Sequence, residues 1–159
     1  MKKEKVFVKI RSEIAAGTRG SSLGIEAMEI AAINDKNTLF KDVDSVELAD
    51  QNHLLHDKID TPHAIRIEGL KKVLETLMNG VKGELDKGKF PIVLSGDHSN
   101  AAGTIAGVKA ANPDKRVGVI WVDAHGDLHT PYTTPSGNMH GMPVAISLGA
   151  DNLKNQIND

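Results

Sequence analysis

Arg116-Val117-Gly118-Val119-Ile120-Trp121-Val122-Asp123-Ala124-His125-Gly126-Asp127 is the stretch on which the fold turns. Residues 116–122 form the most apolar run in the chain and read as a buried strand. That strand delivers Asp123, His125 and Asp127 at its carboxyl end, where open parallel sheets hold their ligands. Side chains alternate along extended backbone, so these three point one way, while Ala124 and Gly126 leave room on the other face. Three such groups would carry a heavy desolvation cost if nothing compensated them. The plain alternative has Asp123 and Asp127 capping loops and His125 buried and satisfied. A lone D-x-H fits that alternative. D-x-H-x-D behind an apolar strand, with a second such element upstream, points to a metal.

The second element lies just before it. Residues 90–94 predict a compact strand that runs into Ser95-Gly96-Asp97-His98-Ser99, and residues 100–111 predict a small, apolar helix suited to close packing on a sheet. Asn112-Pro113 stops that helix. If strands 90–94 and 116–122 share a sheet, His98 converges with Asp123, His125 and Asp127. The two oxygens of Asp123 can then bridge a pair of cations.

Further upstream, residues 6–10 predict a buried first strand and residues 23–33 a helix. The loop between them, Gly17-Thr18-Arg19-Gly20-Ser21-Ser22, lacks the Lys-Ser/Thr ending of a P-loop and reads as a plain connection. Ser45-Val46-Glu47-Leu48 predicts a short strand, and His53, His56 and His63 read as surface histidines. Apolar residues recur at helical spacing over 62–87, with Thr61 as cap and Pro62 at the first helical position. Strand, helix and strand in this alternation predict an α/β fold, a three-layer sandwich with a parallel sheet and helices on both faces.

Composition narrows the chemistry. With 159 residues the chain is long enough for one α/β domain, and 40% hydrophobic and 25% charged residues with a net charge of −2 ask for neither nucleic acid nor an anionic membrane. There is no cysteine, so any metal must be held by His, Asp, Glu or backbone oxygen. The N-terminus carries no apolar run of signal-peptide length and no segment approaches a membrane span, which makes a cytoplasmic protein the expectation.

Downstream of the metal motif, residues 129–143 contain three prolines, two glycines and many hydroxyl or amide groups. Such a loop packs poorly as core and suits a rigid wall beside a site. His129 and His140 are its titratable groups near neutral pH, and His140 is a candidate proton shuttle. Taken without its neighbours, the segment reads as an ordinary polar loop with a surface histidine.

Three motifs in order, Gly96-Asp97-His98-Ser99, Asp123-Ala124-His125-Gly126-Asp127 and Ser136-Gly137-Asn138-Met139-His140-Gly141, resemble the ureohydrolases, the family of arginase, agmatinase and formimidoylglutamase. The likeness is dense over 90–145 and looser at Thr18-Arg19-Gly20, and the run from Thr133 to His140 resembles the arginase branch. The resemblance implies two manganese ions, with His98, Asp123 and Asp127 on one and His125 with bridging Asp123 on the other. It implies hydroxide, generated at the metals, attacking the guanidinium carbon of L-arginine, with Asp127 accepting a hydrogen bond from it and ornithine and urea as products. Thr134, Ser136 and Asn138 would contact the amino acid's carboxylate and amino group, and His140 would relay protons. His129 stands where arginases usually have Asn, and Ser95 where glycine is more usual. The full-length parent would be a homo-oligomer, a trimer or hexamer, acting in arginine metabolism.

The family also supplies a D-x-D pair and a downstream acidic residue, and nothing after His140 matches them, since Asp151 and Asp159 do not. The expectation is therefore a truncated form, the N-terminal part of a single domain spanning 1–159, with an incomplete second metal site and an exposed apolar sheet edge. The alternatives are agmatinase or formimidoylglutamase activity in the parent, or a catalytically inactive fragment acting as an interaction protein.

Overall fold

The computed structural model describes residues 3–158. Its centre is β1 (Lys5–Ile10), flanked in a parallel three-stranded sheet by β2 (Asp44–Leu48) and β3 (Phe90–Ser95), in the order β2-β1-β3. Val8 sits opposite Val46 on one side and Val93 on the other. A strand paired on both edges and covered on both faces loses all contact with water, and the apolar run of β1 allows that: Val6, Phe7, Val8 and Ile10 are buried.

Alternation along β1 sorts the two faces. Val8 and Ile10 join the main core with Leu70, Val73, Leu77 and Val81 of α3 (Ile67–Asp86). Phe7 stacks on Phe40 at 5.0 Å, and Lys9 reaches Glu29 of α1 (Gly24–Asn34) at 2.7 Å and Glu47 of β2 at 3.3 Å. Burial alone would lower the Lys9 pKa, but the two carboxylates outweigh it and raise it. Helix, sheet and helix form the three layers expected, with α1 and the one-turn α2 (Leu39–Asp42) on one face and α3 on the other.

α4 (Asn100–Ala110) packs chiefly on α3, not on the sheet as its small residues suggested. Gly103 and Gly107 make that approach possible. A Cβ on Gly103 would lie 2.9 Å from the Leu74 carbonyl oxygen, and one on Gly107 would lie 2.7 Å from the Val81 Cβ. α3 begins at Ile67, five residues later than the sequence periodicity predicts. Residues 62–66 turn instead, ending on Arg66 in the left-handed region at φ 58°. The Arg66 guanidinium donates to the carbonyls of Leu54, Leu55 and Ile14, which pins this turn. Thr61 does not cap the helix; its hydroxyl donates to the Ala64 carbonyl at 2.8 Å.

The main correction concerns residues 116–122, where no strand forms. The run has no ladder partner, and β3 is paired only with β1 among the described residues. Ile120 is 93% and Val122 91% exposed, and the buried Trp121 indole N–H has no partner. A β-rich sequence specifies a strand only when a neighbour supplies the ladder, and here none does. The remaining element is α5 (Pro143–Leu148), with proline in its first turn. No helix among the described residues is long and apolar enough to cross a membrane.

Candidate metal centre

His98 is set by the start of α4. Asp97, one residue earlier, accepts from the Ser99 N–H at 2.9 Å and from the Ser99 hydroxyl, and the His98 carbonyl accepts from the Ala101 N–H at 3.1 Å. Asp127 is set by the start of α5, since its carbonyl accepts from the Val144 and Ala145 N–H groups at 3.1 and 3.3 Å. The first N–H groups of a helix have no partner within it, so Asp127 caps α5 with its main chain and frees its side chain. Its backbone is left-handed, φ 48°, which turns the carboxylate back toward His98.

His98 Nε2 stands 3.0 Å from Asp127 Oδ2 and 3.2 Å from Asp123 Oδ2. One ligand atom from each of the three lies within 4.8 Å of the others. Ligands held about 2.0–2.2 Å from one cation sit roughly 3 Å apart, so this spacing suits a shared ion. The set is nitrogen and oxygen without sulfur, which fits manganese, iron or zinc better than a thiophilic metal. The three residues thus fit a divalent cation on their own geometry. Trp121 meets the His98 ring edge-on at 5.0 Å.

The common face expected for Asp123, His125 and Asp127 is not formed. The backbone bends over 123–125, and the His125 side chain is 83% exposed and outside the three-ligand group. It remains tied to Asp123 instead: His125 Nδ1 lies 3.2 Å from Asp123 Oδ1, the oxygen not used by His98. The His125 N–H donates to that oxygen at 2.7 Å and is the chief cause holding the Asp123 carboxyl below its usual range. Asp123 therefore faces two imidazoles with its two oxygens.

An open pocket joins these residues to the loop beyond, with His98, Asp123, His125, Asp127, His129 and His140 among its walls. Thr133 and Asn152 also line it, and sequence reasoning missed both. Thr133 sits inside the hydroxyl-rich run that had been singled out, whereas nothing in the sequence around Asn152 gave a signal. Thr134, Ser136 and Asn138 do not line the pocket. Thr134 is 2% exposed, and its hydroxyl accepts from the Gly137 N–H at 3.0 Å, so it builds the loop from within. Ser136 is exposed and Asn138 half-buried. Gly137 is required: at φ 73° a Cβ would fall 1.8 Å from the Pro62 carbonyl oxygen.

The loop at residues 17–22 is the plain connection expected. The Glu13 carboxylate takes its N–H groups, from Gly20 at 2.9 Å and Ser22 at 2.8 Å, leaving no anion cradle. Burial would raise the Glu13 pKa, but these donors and the Ser21 hydroxyl bring it below the usual value. His53 and His56 are exposed and His63 half-buried, and none joins a ligand group among the described residues.

A parallel sheet between helix layers, with His and Asp gathered on the loops beyond its strands, defines a class of α/β protein with a candidate cation site beyond the strand ends. A profile of the arginase family matches residues 6–157. The chain is 40% identical over 151 residues to an arginase of Bacillus caldovelox, covering 90% of this chain and 48% of that protein. The solved structure of a Bacillus caldovelox arginase superposes with a TM-score of 0.76 at 36% identity, covering 93% of this chain and 50% of that one. An Entamoeba histolytica arginase solved with L-ornithine superposes with a TM-score of 0.79 at 30% identity, covering 94% of this chain and 51% of that one. The chain belongs to the arginase family. It spans about half the length of the relatives it matches.

Proposed function

We propose that this chain carries the first half of a two-manganese site of an arginase-type hydrolase, which cleaves L-arginine to ornithine and urea. The observation that carries the reading is the disposition of Asp123, with Oδ2 3.2 Å from His98 and Oδ1 3.2 Å from His125. A carboxylate between two imidazoles would be able to contribute an oxygen to a cation on either side. His98, Asp127 and one oxygen of Asp123 would hold the first ion, and His125 with the other oxygen would begin the second. Manganese, when bound, would supply the positive field that makes water acidic enough to attack near neutral pH.

The chain's own groups divide the remaining work. Asp127 accepts a hydrogen bond from the O–H of the attacking water, and its short tether to α5 keeps the carboxylate directed at the pocket. His140 moves a proton between the pocket and solvent as the carbon–nitrogen bond breaks. His129, from the pocket wall, is assigned to the carboxylate and amino group of the substrate, with Ser136 and Asn138 of the same loop, which stand outside that wall, reaching it only if the loop moves inward. Thr134, buried beneath them, keeps that loop in shape. We assign the protein to a homo-oligomer, a trimer or hexamer, in the cytoplasm.

A second reading rests on a different observation. The free edge of β3 and the exposed Ile120 and Val122 favour an interaction protein that keeps the fold and one cation without turnover. Urea release by the 159-residue chain, supplied with excess manganese and arginine, decides between them. Urea from arginine supports the hydrolase, and product from agmatine or formimidoylglutamate instead moves the substrate. Cation binding without any product leaves the interaction reading in place.

A further inference from the structure

Asp97 is buried behind the pocket, 6% exposed, and it is not placed to bind the cation with His98. Its Oδ1 accepts from the Ser99 N–H and hydroxyl, and its Oδ2 accepts from the Ala15 N–H at 3.2 Å. The other end of Ala15 is equally occupied. Its carbonyl accepts from the His140 N–H at 3.3 Å and faces His140 Nδ1 at 3.1 Å. Asp97, Ala15 and His140 are thus linked in line, across 82 and 125 positions of sequence.

A carbonyl oxygen can only accept, so the proton of this last contact sits on His140 Nδ1. In the neutral ring Nε2 is then an unprotonated acceptor, and it belongs to the ring that lines the pocket. A carboxylate at the N–H end of a peptide unit also polarises the unit and makes its carbonyl a stronger acceptor. The contact is held from both sides. Gly96 presses the Asp97 loop against the chain after β1, where a Cβ would lie 2.5 Å from the Ser12 carbonyl oxygen. On the other side a Cβ on Gly17 would press on Asn138 Nδ2 at 3.2 Å and meet the His140 ring in ordinary contact, 3.8 Å from Cε1.

We infer that Asp97 is a positioning residue for His140: acting through the Ala15 peptide, it fixes the Nδ1–H tautomer and presents Nε2 to the pocket. The catalytic use of Nε2 rests on the hydrolase reading above, whereas the tautomer does not. If the hydrolase reading holds, Nε2 is the atom that takes and returns the proton, and Nδ1 never leaves the Ala15 carbonyl.

The test needs neither metal nor substrate. Long-range proton–nitrogen correlation spectra of the full chain, recorded above the imidazole titration range and assigned with His140→Asn, report the tautomer directly. The expected result is an Nδ1–H ring in about tenfold excess over the other form, the factor one retained hydrogen bond supplies. An Nε2–H ring in the unsubstituted chain overturns the inference. In Asp97→Asn one of the three donors loses its acceptor, and the excess is expected to collapse; an unchanged tautomer in a folded variant also overturns it. Should that variant not fold, Ser99→Ala decides. It takes the hydroxyl from Oδ1 and leaves the backbone N–H of position 99 in place, so the carboxylate's charge shifts toward Ala15 and the Ala15 amide proton and His140 Nδ1 resonances are expected to move together. Movement of neither, with Thr104→Ala as control, sinks the relay. A chain that releases no urea but shows this tautomer loses the hydrolase reading and keeps the inference.

Discussion

The imidazole of His98 stands 3.0 Å from the carboxylate of Asp127, although 29 positions separate them in sequence. Each is fixed by the first turn of a different helix, His98 at the start of α4 and Asp127 through its carbonyl at the start of α5. The pair is therefore as rigid as the placement of two helix ends. That makes the cation site a property of the fold rather than of one loop.

Removing either residue is expected to abolish tight cation binding while leaving the fold intact. Loss of a supporting partner already costs about 10–100-fold in metal affinity, and a direct ligand costs at least as much. Titration calorimetry with manganese on Asp127→Ala and His98→Ala should show affinity reduced by roughly 100-fold or more. An unchanged affinity in both would place the ion elsewhere.

Asp123→Asn separates the two halves of the proposed site. The amide keeps one acceptor oxygen, so it can serve His98 or His125 but not a cation on each side. Manganese stoichiometry is expected to fall before the fold is touched, because Asp123 is exposed.

Gly137→Ala should be among the most damaging single changes in the chain. The left-handed backbone and the 1.8 Å clash with the Pro62 carbonyl both oppose any side chain. The expected loss is more than about 2 kcal/mol, read as a lower urea midpoint with an unchanged slope. Gly88→Ala is the comparison: its φ is also positive, 77°, but nothing lies within 4 Å, so its loss should stay near 1 kcal/mol, roughly the strain alone.

Leu77→Ala tests the core between α3 and the sheet. Leu77 is fully buried, and truncation there should cost about 2–5 kcal/mol by leaving a cavity. Gly107→Val attacks the same layer from the other side by overpacking Val81, with an expected cost of about 1–3 kcal/mol.

Glu13 gives a pH signature with a definite sign. Its folded-state pKa lies below the ordinary value of 4.5, so its contribution to stability is present above that value. The contribution is lost as pH falls through the folded-state pKa. The stability gap between the unsubstituted chain and Glu13→Gln should be constant near neutrality and shrink in acid. A gap that widens in acid would contradict the role given to the Gly20 and Ser22 N–H groups.

Much of this was legible in the sequence because it depends on local chemistry. The β-branched run in β1, the helical spacing of Leu70, Val73, Leu77 and Val81, and the His and Asp motifs each carry their signal within a few residues. What sequence could not supply was partnership. Residues 116–122 have every attribute of a strand except a neighbour, and periodicity cannot reveal whether a neighbour exists. The start of α3 was misjudged for a similar reason. Pro62 suits a first helical turn, but the Gly137 carbonyl takes the Ile65 N–H at 3.0 Å, and Arg66 finds three distant carbonyls that reward a turn instead. The exposure of His125 follows from the bend over 123–125, which an alternation rule presupposes away.

The unpaired run at residues 116–122 leads directly into Asp123, so a cation held by Asp123 would be thermodynamically linked to strand pairing. Whatever ordering free energy a bound ion must provide upstream of Asp123 is subtracted from its apparent affinity. Any segment that supplied the missing ladder to Val119, Ile120 and Val122 would remove that subtraction and tighten the ion without touching a single ligand. By reciprocity, the ion would recruit that segment with the same coupling energy.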